Sequence, residues 1–120
     1  MRILIADDNQ LVRRGIVRLL STEASWEVCG EVARGDEILK AAEGLRPDLI
    51  LLDVSMPGLN GLEAARLLRP QLPKVRIFIM SHHDASHLRA AALEAGADGC
   101  VDKGSLAAEL PAMIRALPAA

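Results

Sequence analysis

The chain has 120 residues, 51% hydrophobic and 25% charged, with a net charge of −2 and a pI near 5.9. That length fits one domain able to bury a core without staples, leaving about 6,300 Å² accessible once folded. The balance argues against a disordered chain. With no Tyr, one Phe and one Trp, it also argues against a surface that holds a phosphate backbone or stacks single-stranded bases.

Ile3-Leu4-Ile5-Ala6 is a short β-prone run that stops at an acidic pair, Asp7-Asp8. Leu11, Val12, Gly15, Ile16, Leu19 and Leu20 then recur at helical spacing, with Arg13, Arg14 and Arg18 between them. Trp26 to Val32 alternates as a strand with one wet face does. Ile38, Leu39 and Ala42 mark a short helix that ends near Gly44. Leu49-Ile50-Leu51-Leu52 is apolar throughout, as in a strand buried on both faces, and stops at Asp53.

Pro57-Gly58-Leu59-Asn60-Gly61 reads as a turn before a helix through Leu62, Ala65 and Leu68. Val75 to Met80 is a fourth strand, ending at Ser81. A fourth helix runs from Leu88 to Ala95 with Gly96 as its C-terminal cap, and Asp84 is placed as its N-cap. Gly99-Cys100-Val101 is a brief fifth strand ending near Lys103. Ser105 is expected to cap a last helix with Leu106, Leu110, Met113, Ile114 and Leu117 inward. Five strand–helix alternations predict an α/β fold: a doubly wound, five-stranded parallel sheet with helices on both faces.

Cys29 and Cys100 lie far apart with no CxxC, so neither a zinc knuckle nor a disulfide framework is indicated, and a reducing compartment fits. No apolar run approaches the roughly 18–20 residues that span a bilayer, and MRILIADDN lacks the form of a signal peptide. A cytoplasmic location with no membrane partner is the expectation.

Function enters through the polar residues. In open α/β sheets ligands bind beyond the carboxyl ends of the strands. Those ends carry Asp7-Asp8, Asp53, Ser81 and Lys103. Three converging carboxylates repel unless a cation sits between them, and oxygen-only ligands favour Mg²⁺. A Lys and a hydroxyl at the same edge can bind the oxygens of a transferring phosphoryl group. Each residue alone has a plainer reading as a helix cap or a solvated charge. Four of five strand ends coinciding is what carries the signal.

In that order, the acidic pair, the D-x-x-M-P-G run from Asp53 to Gly58, Ser81 and Lys103 resemble the receiver domain of bacterial two-component response regulators. The resemblance covers essentially the whole chain. Leu93-Glu94-Ala95-Gly96-Ala97-Asp98-Gly99 and Ser81-His82-His83-Asp84 look most like the NarL/FixJ-type branch, whose receivers usually precede a LuxR-like helix-turn-helix domain. The resemblance implies a flavodoxin-like receiver over residues 1–120, with a C-terminal DNA-binding domain missing from this chain. It also implies phosphorylation of Asp53 by a sensor histidine kinase with Mg²⁺ as cofactor. Asp8 would ligate Mg²⁺ directly, Asp7 through water, Asp53 itself, and Ser55 through its backbone carbonyl. Ser81 and Lys103 would bind phosphoryl oxygens. A homodimer formed on activation would place two DNA-binding domains on paired half-sites.

The pattern departs from the family at Cys100, where many receivers carry Tyr or Phe, and His82 stands where a small residue is common. Those departures motivate an alternative, a receiver acting as a phosphorylation-independent interaction module. Ser55 and His83 occupy positions that tune dephosphorylation in the family. An Asp-nucleophile phosphatase shares the chemistry, but it needs a second acid where Ser55 stands, and a cap domain. His83 and His87 have the H-x-x-x-H spacing of zinc sites without an evident third ligand.

Overall fold

A computed structural model describes residues 1–82 and 85–118, the side chains of 85–87 excepted. The elements alternate in chain order: β1 (Arg2–Ala6), α1 (Gln10–Leu20), β2 (Glu27–Val32), α2 (Ile38–Leu45), β3 (Leu49–Asp53), α3 (Gly61–Gln71), β4 (Arg76–Ser81), α4 (Ala85–Glu94), β5 (Gly99–Asp102) and α5 (Leu106–Arg115). Short 3-10 turns precede α2, at Gly35–Glu37, and α5, at Lys103–Ser105. All strands are parallel, in the order β2-β1-β3-β4-β5. The accessible surface, 6433 Å², agrees with the expectation from chain length.

The period-2 alternation of the strands sorts the core into two layers. Leu4, Ala6, Ile50, Leu52, Ile77, Ile79 and Cys100 face one way, beneath side chains from α2, α3 and α4. Ile3, Ile5, Leu49, Leu51, Phe78, Met80 and Val101 face the other way, beneath α1 and α5. Every residue of β3 is buried, as its unbroken apolar run predicts for the central strand. Strand β2 is an edge and stays half wet, which explains its alternation. Trp26 lies just before it and packs on the α1/α5 layer, with the Arg115 guanidinium 5.4 Å from its ring centroid.

Local chemistry sets the helix ends, with three differences from the sequence reading. Helix α2 runs to Leu45, and the left-handed residue that stops it is Arg46, at φ 51°, rather than Gly44. Helix α5 ends at Arg115, so Leu117 packs against the core from beyond it. Ser105 makes no side-chain cap, because α5 is entered through the 3-10 turn, where the Asp102 side chain accepts the Gly104 N–H at 2.8 Å. Gly96 does close α4, at φ 97°. His83 and Asp84 lie outside the described residues, and so do the side chains of Ser86 and His87.

Candidate functional site

The register of the sheet assembles the site. Ala6 pairs with Leu52 across β1 and β3. One residue further along each strand, Asp7 and Asp53 leave the sheet side by side, a strand spacing of roughly 4.8 Å apart. Ser81 ends β4 beside Asp102, and Lys103 follows immediately. Together with Asp8 and Ser55 they line one open cleft of about 270 Å³, with Asn9, Val54 and His82 completing its wall. Asp7, Asp53 and Ser81 are buried, whereas Asp8 and His82 are exposed at the rim.

Two carboxylates at that spacing need a counter-charge, and Lys103 supplies it. Its ammonium lies 2.6 Å from Asp7 Oδ2 and 3.1 Å from Asp53 Oδ1, with the side chain 4% exposed. Asp53 Oδ1 also accepts the Ser55 N–H at 3.2 Å, and Asp7 Oδ1 accepts the Asn9 N–H at 2.9 Å. Burial pushes the Asp53 carboxyl above the ordinary carboxylate range, against Lys103 and the Ser55 N–H, which hold it down; the charge of Asp7 adds to the rise. Burial pulls the other way on Lys103, but Asp7 and Asp53 outweigh it, so its pKa lies above that of an ordinary lysine.

The cleft fits a hard divalent cation. Carboxylate oxygens of Asp7, Asp8 and Asp53 all lie within 4.8 Å of one another. Asp7 Oδ2 is sealed from solvent, and the Lys103 ammonium is its charge partner at 2.6 Å. One ammonium therefore leaves three clustered carboxylates short of positive charge. An all-oxygen donor set is what Mg²⁺ or Ca²⁺ takes.

Two supporting residues escaped the sequence reading. Asn9 caps α1, its Oδ1 accepting the N–H of Leu11 at 2.9 Å and of Val12 at 3.3 Å, while its own N–H orients Asp7. An Asn before the first apolar-periodic residue is a legible cap signal. Arg13 donates to the Asp7 carbonyl at 2.6 Å and to Glu31 Oε1 at 3.0 Å, tying the acidic turn to β2. Its position in a helical repeat holds no cue for that contact. No helix is long and apolar enough to cross a membrane among the described residues.

Comparison with known proteins agrees with this geometry. Residues 3–115 match the response regulator receiver domain family. The chain is 39% identical to the response regulator GacA of Pseudomonas viridiflava over 115 residues, 96% of this chain and 54% of that protein. It is 35% identical to the response regulator UvrY of Escherichia coli K12 over 117 residues, 98% and 54% of the two lengths. It thus spans about half the length of these curated relatives. Among solved structures, a LuxR-family two-component response regulator from Aurantimonas sp. superposes with a TM-score of 0.90 at 36% identity, covering 96% of this chain and 82% of that one. The response regulator domain of Thermotoga maritima CheB gives 0.87 at 28% identity, covering 96% and 93%. With the matched family spanning nearly the whole chain and the flavodoxin-like sheet order in place, this chain belongs to the response regulator receiver domains of two-component systems, with GacA, UvrY and LuxR-family regulators among its relatives.

Proposed function

We propose that this domain accepts a phosphoryl group on Asp53 from a sensor histidine kinase and uses it as a switch. The observation that carries the reading is the buried Asp53 carboxylate facing an open cleft between Lys103, 3.1 Å away, and the acidic pair Asp7-Asp8. An Asp53 oxygen attacks phosphorus as the bond to the donor nitrogen breaks, which leaves an acyl phosphate on Asp53. Asp7, Asp8, Asp53 and the Ser55 carbonyl would hold Mg²⁺, which supplies charge neutralisation for the incoming phosphoryl group. Lys103, already beside Asp53, follows the new charge onto a phosphoryl oxygen. Ser81, buried at the end of β4 and lining the cleft, would bond another. The phosphate adds up to two negative charges and three acceptor oxygens in a site only a few ångströms wide, enough to bias a two-state surface.

The curated response regulators of about twice this length leave room for a further reading, in which phosphorylation drives homodimerisation and controls transcription through a C-terminal helix-turn-helix domain. A cytoplasmic setting follows from a kinase partner of this kind. Intact mass after incubation with acetyl phosphate and Mg²⁺ tests the central step. A single phosphoryl adduct is expected, lost with EDTA and lost in Asp53→Asn. No adduct on the wild type would leave the phosphorylation-independent module as the better account, and an adduct on Asp53→Asn would remove Asp53 as the acceptor.

A further inference from the structure

The loop that carries Ser55 is held by contacts that leave no room for a single methyl group. Its first turn closes where the Gly61 N–H donates to the Val54 carbonyl at 3.1 Å. A Cβ on Gly61 would overlap the Asp53 carbonyl oxygen and lie 3.0 Å from Val54 Cα. Further along, the Pro57 carbonyl accepts the Gly35 N–H at 3.1 Å. A Cβ on buried Gly35 would overlap the Leu59 carbonyl oxygen, with the Leu59 carbonyl carbon 2.7 Å away. Gly58, at φ 84°, sits against the Asp36 carboxylate and the Arg34 guanidinium, which are paired at 3.0 Å.

We propose that Arg34-Gly35-Asp36, between β2 and α2, is a positioning element that makes the acidic cleft select Mg²⁺ over Ca²⁺. It touches neither the cleft nor any carboxylate in it. It acts through the 57–59 backbone, which it holds by one hydrogen bond and two close approaches, and so fixes the Ser55 carbonyl two residues upstream. The physical basis is the difference between the two ions. Mg²⁺ demands near-ideal octahedral geometry at about 2.0–2.1 Å, whereas Ca²⁺ accepts flexible shells at about 2.3–2.6 Å. A carbonyl held firmly favours the smaller ion, and one free to drift removes that advantage.

The inference rests on the metal-dependent reading above, and calorimetric titration of wild type, Gly35→Ala and Gly44→Ala with Mg²⁺ and Ca²⁺ separates the two. Gly44 is the control, since a Cβ there meets nothing within 4 Å. Wild type should bind Mg²⁺; absence of any binding would overturn the metal reading and this proposal with it. Gly35→Ala should weaken Mg²⁺ by about 10-fold, the usual scale of an outer contact to a metal site, and Ca²⁺ by about 3-fold or less. Gly44→Ala should change neither. Equal losses of both ions in Gly35→Ala, or no loss, would overturn the selectivity role while leaving the metal site intact. If Gly35→Ala melts too low to titrate, Asp36→Ala strips the contact to Gly58 from an exposed side chain. A reduced Mg²⁺-to-Ca²⁺ ratio is expected there too, and an unchanged ratio overturns the proposal.

Discussion

Replacing Lys103 by Met gives the sharpest test of how the cleft balances its charge. The substitution keeps the length of the side chain and removes the one ammonium between Asp7 and Asp53. Asp7, Asp53 and Lys103 sum to −1 when all are ionised, and the variant leaves −2 in the same buried space. Removing one partner of a buried ion pair costs about 3–5 kcal/mol. The cleft is open to water on one side, so the lower figure, about 3 kcal/mol, applies, or roughly 12 °C at about 4 °C per kcal/mol for a chain of this size.

The pH dependence has a definite sign. Asp53 already sits above its ordinary value because of burial, and without Lys103 it rises further. An acid with a raised folded pKa costs stability above that pKa, and the cost vanishes once pH falls below the unfolded value. Acidification below pH 7 should therefore narrow the deficit of Lys103→Met, because protonation of Asp53 removes one of the two unbalanced charges. The wild type has the converse behaviour at the alkaline end. Lys103 is raised by its two carboxylates, so its contribution is complete below the unfolded lysine value and disappears as pH climbs through the folded one. Thermal melts by circular dichroism at pH 5, 7 and 10.5, without metal and with excess Mg²⁺, read all of this. Mg²⁺ should recover much of the loss in the variant. A deficit below about 1 kcal/mol at pH 7, or one indifferent to both acid and Mg²⁺, would refute the charge balance described for the cleft.

The other expectations concern single groups. Asp8→Ala should weaken Mg²⁺ binding about 10-fold or more by titration calorimetry, yet shift the metal-free melting point little, since Asp8 is exposed. Cys100 is 5% exposed, and burial raises its thiol pKa; iodoacetamide at pH 8 should leave it unlabelled in the native protein over a time that fully labels it in guanidinium. Asn60→Ala should cost about 1 kcal/mol in urea unfolding, because Asn60 and Glu63 cap each other's backbone N–H at 2.9 and 3.0 Å at the start of α3.

The parts of this molecule legible in its sequence are those governed by short-range rules. Strand runs end at polar residues because the sheet ends there, so Asp7, Asp53, Ser81 and Lys103 announce their common edge before any contact is known. The buried run at Leu49–Leu52 likewise identifies the central strand by composition alone. What stayed hidden depends on partners distant in the chain. Arg69 donates to the carbonyls of Gly96, Pro73 and Val75 at 2.8–3.0 Å and pairs with Asp98 at 3.0 Å, joining the end of α3 to the α4–β5 turn. Nothing in a helical Arg near a Pro marks that role. Ser105 shows the opposite failure, a residue with the right chemistry for a cap that the 3-10 turn after Lys103 made unnecessary. Gly35 could be read as a turn glycine, but its need for contact with Leu59 arises only when two loops meet.

The in-register pairing of β1 with β3 constrains how such a domain can diverge. One residue inserted into either strand before its acid would turn that acid to the opposite face of the sheet, so no gradual series of length changes connects a working site to a displaced one. Variation by insertion is confined to the far edge of the sheet, at the turns around residues 21–26, 46–48, 72–75 and 95–98, where added residues leave every strand end in place. Lengthening those turns leaves the acidic edge in register, at the local cost of contacts such as those Arg69 makes to Gly96, Pro73, Val75 and Asp98, while the acidic edge changes only by substitution.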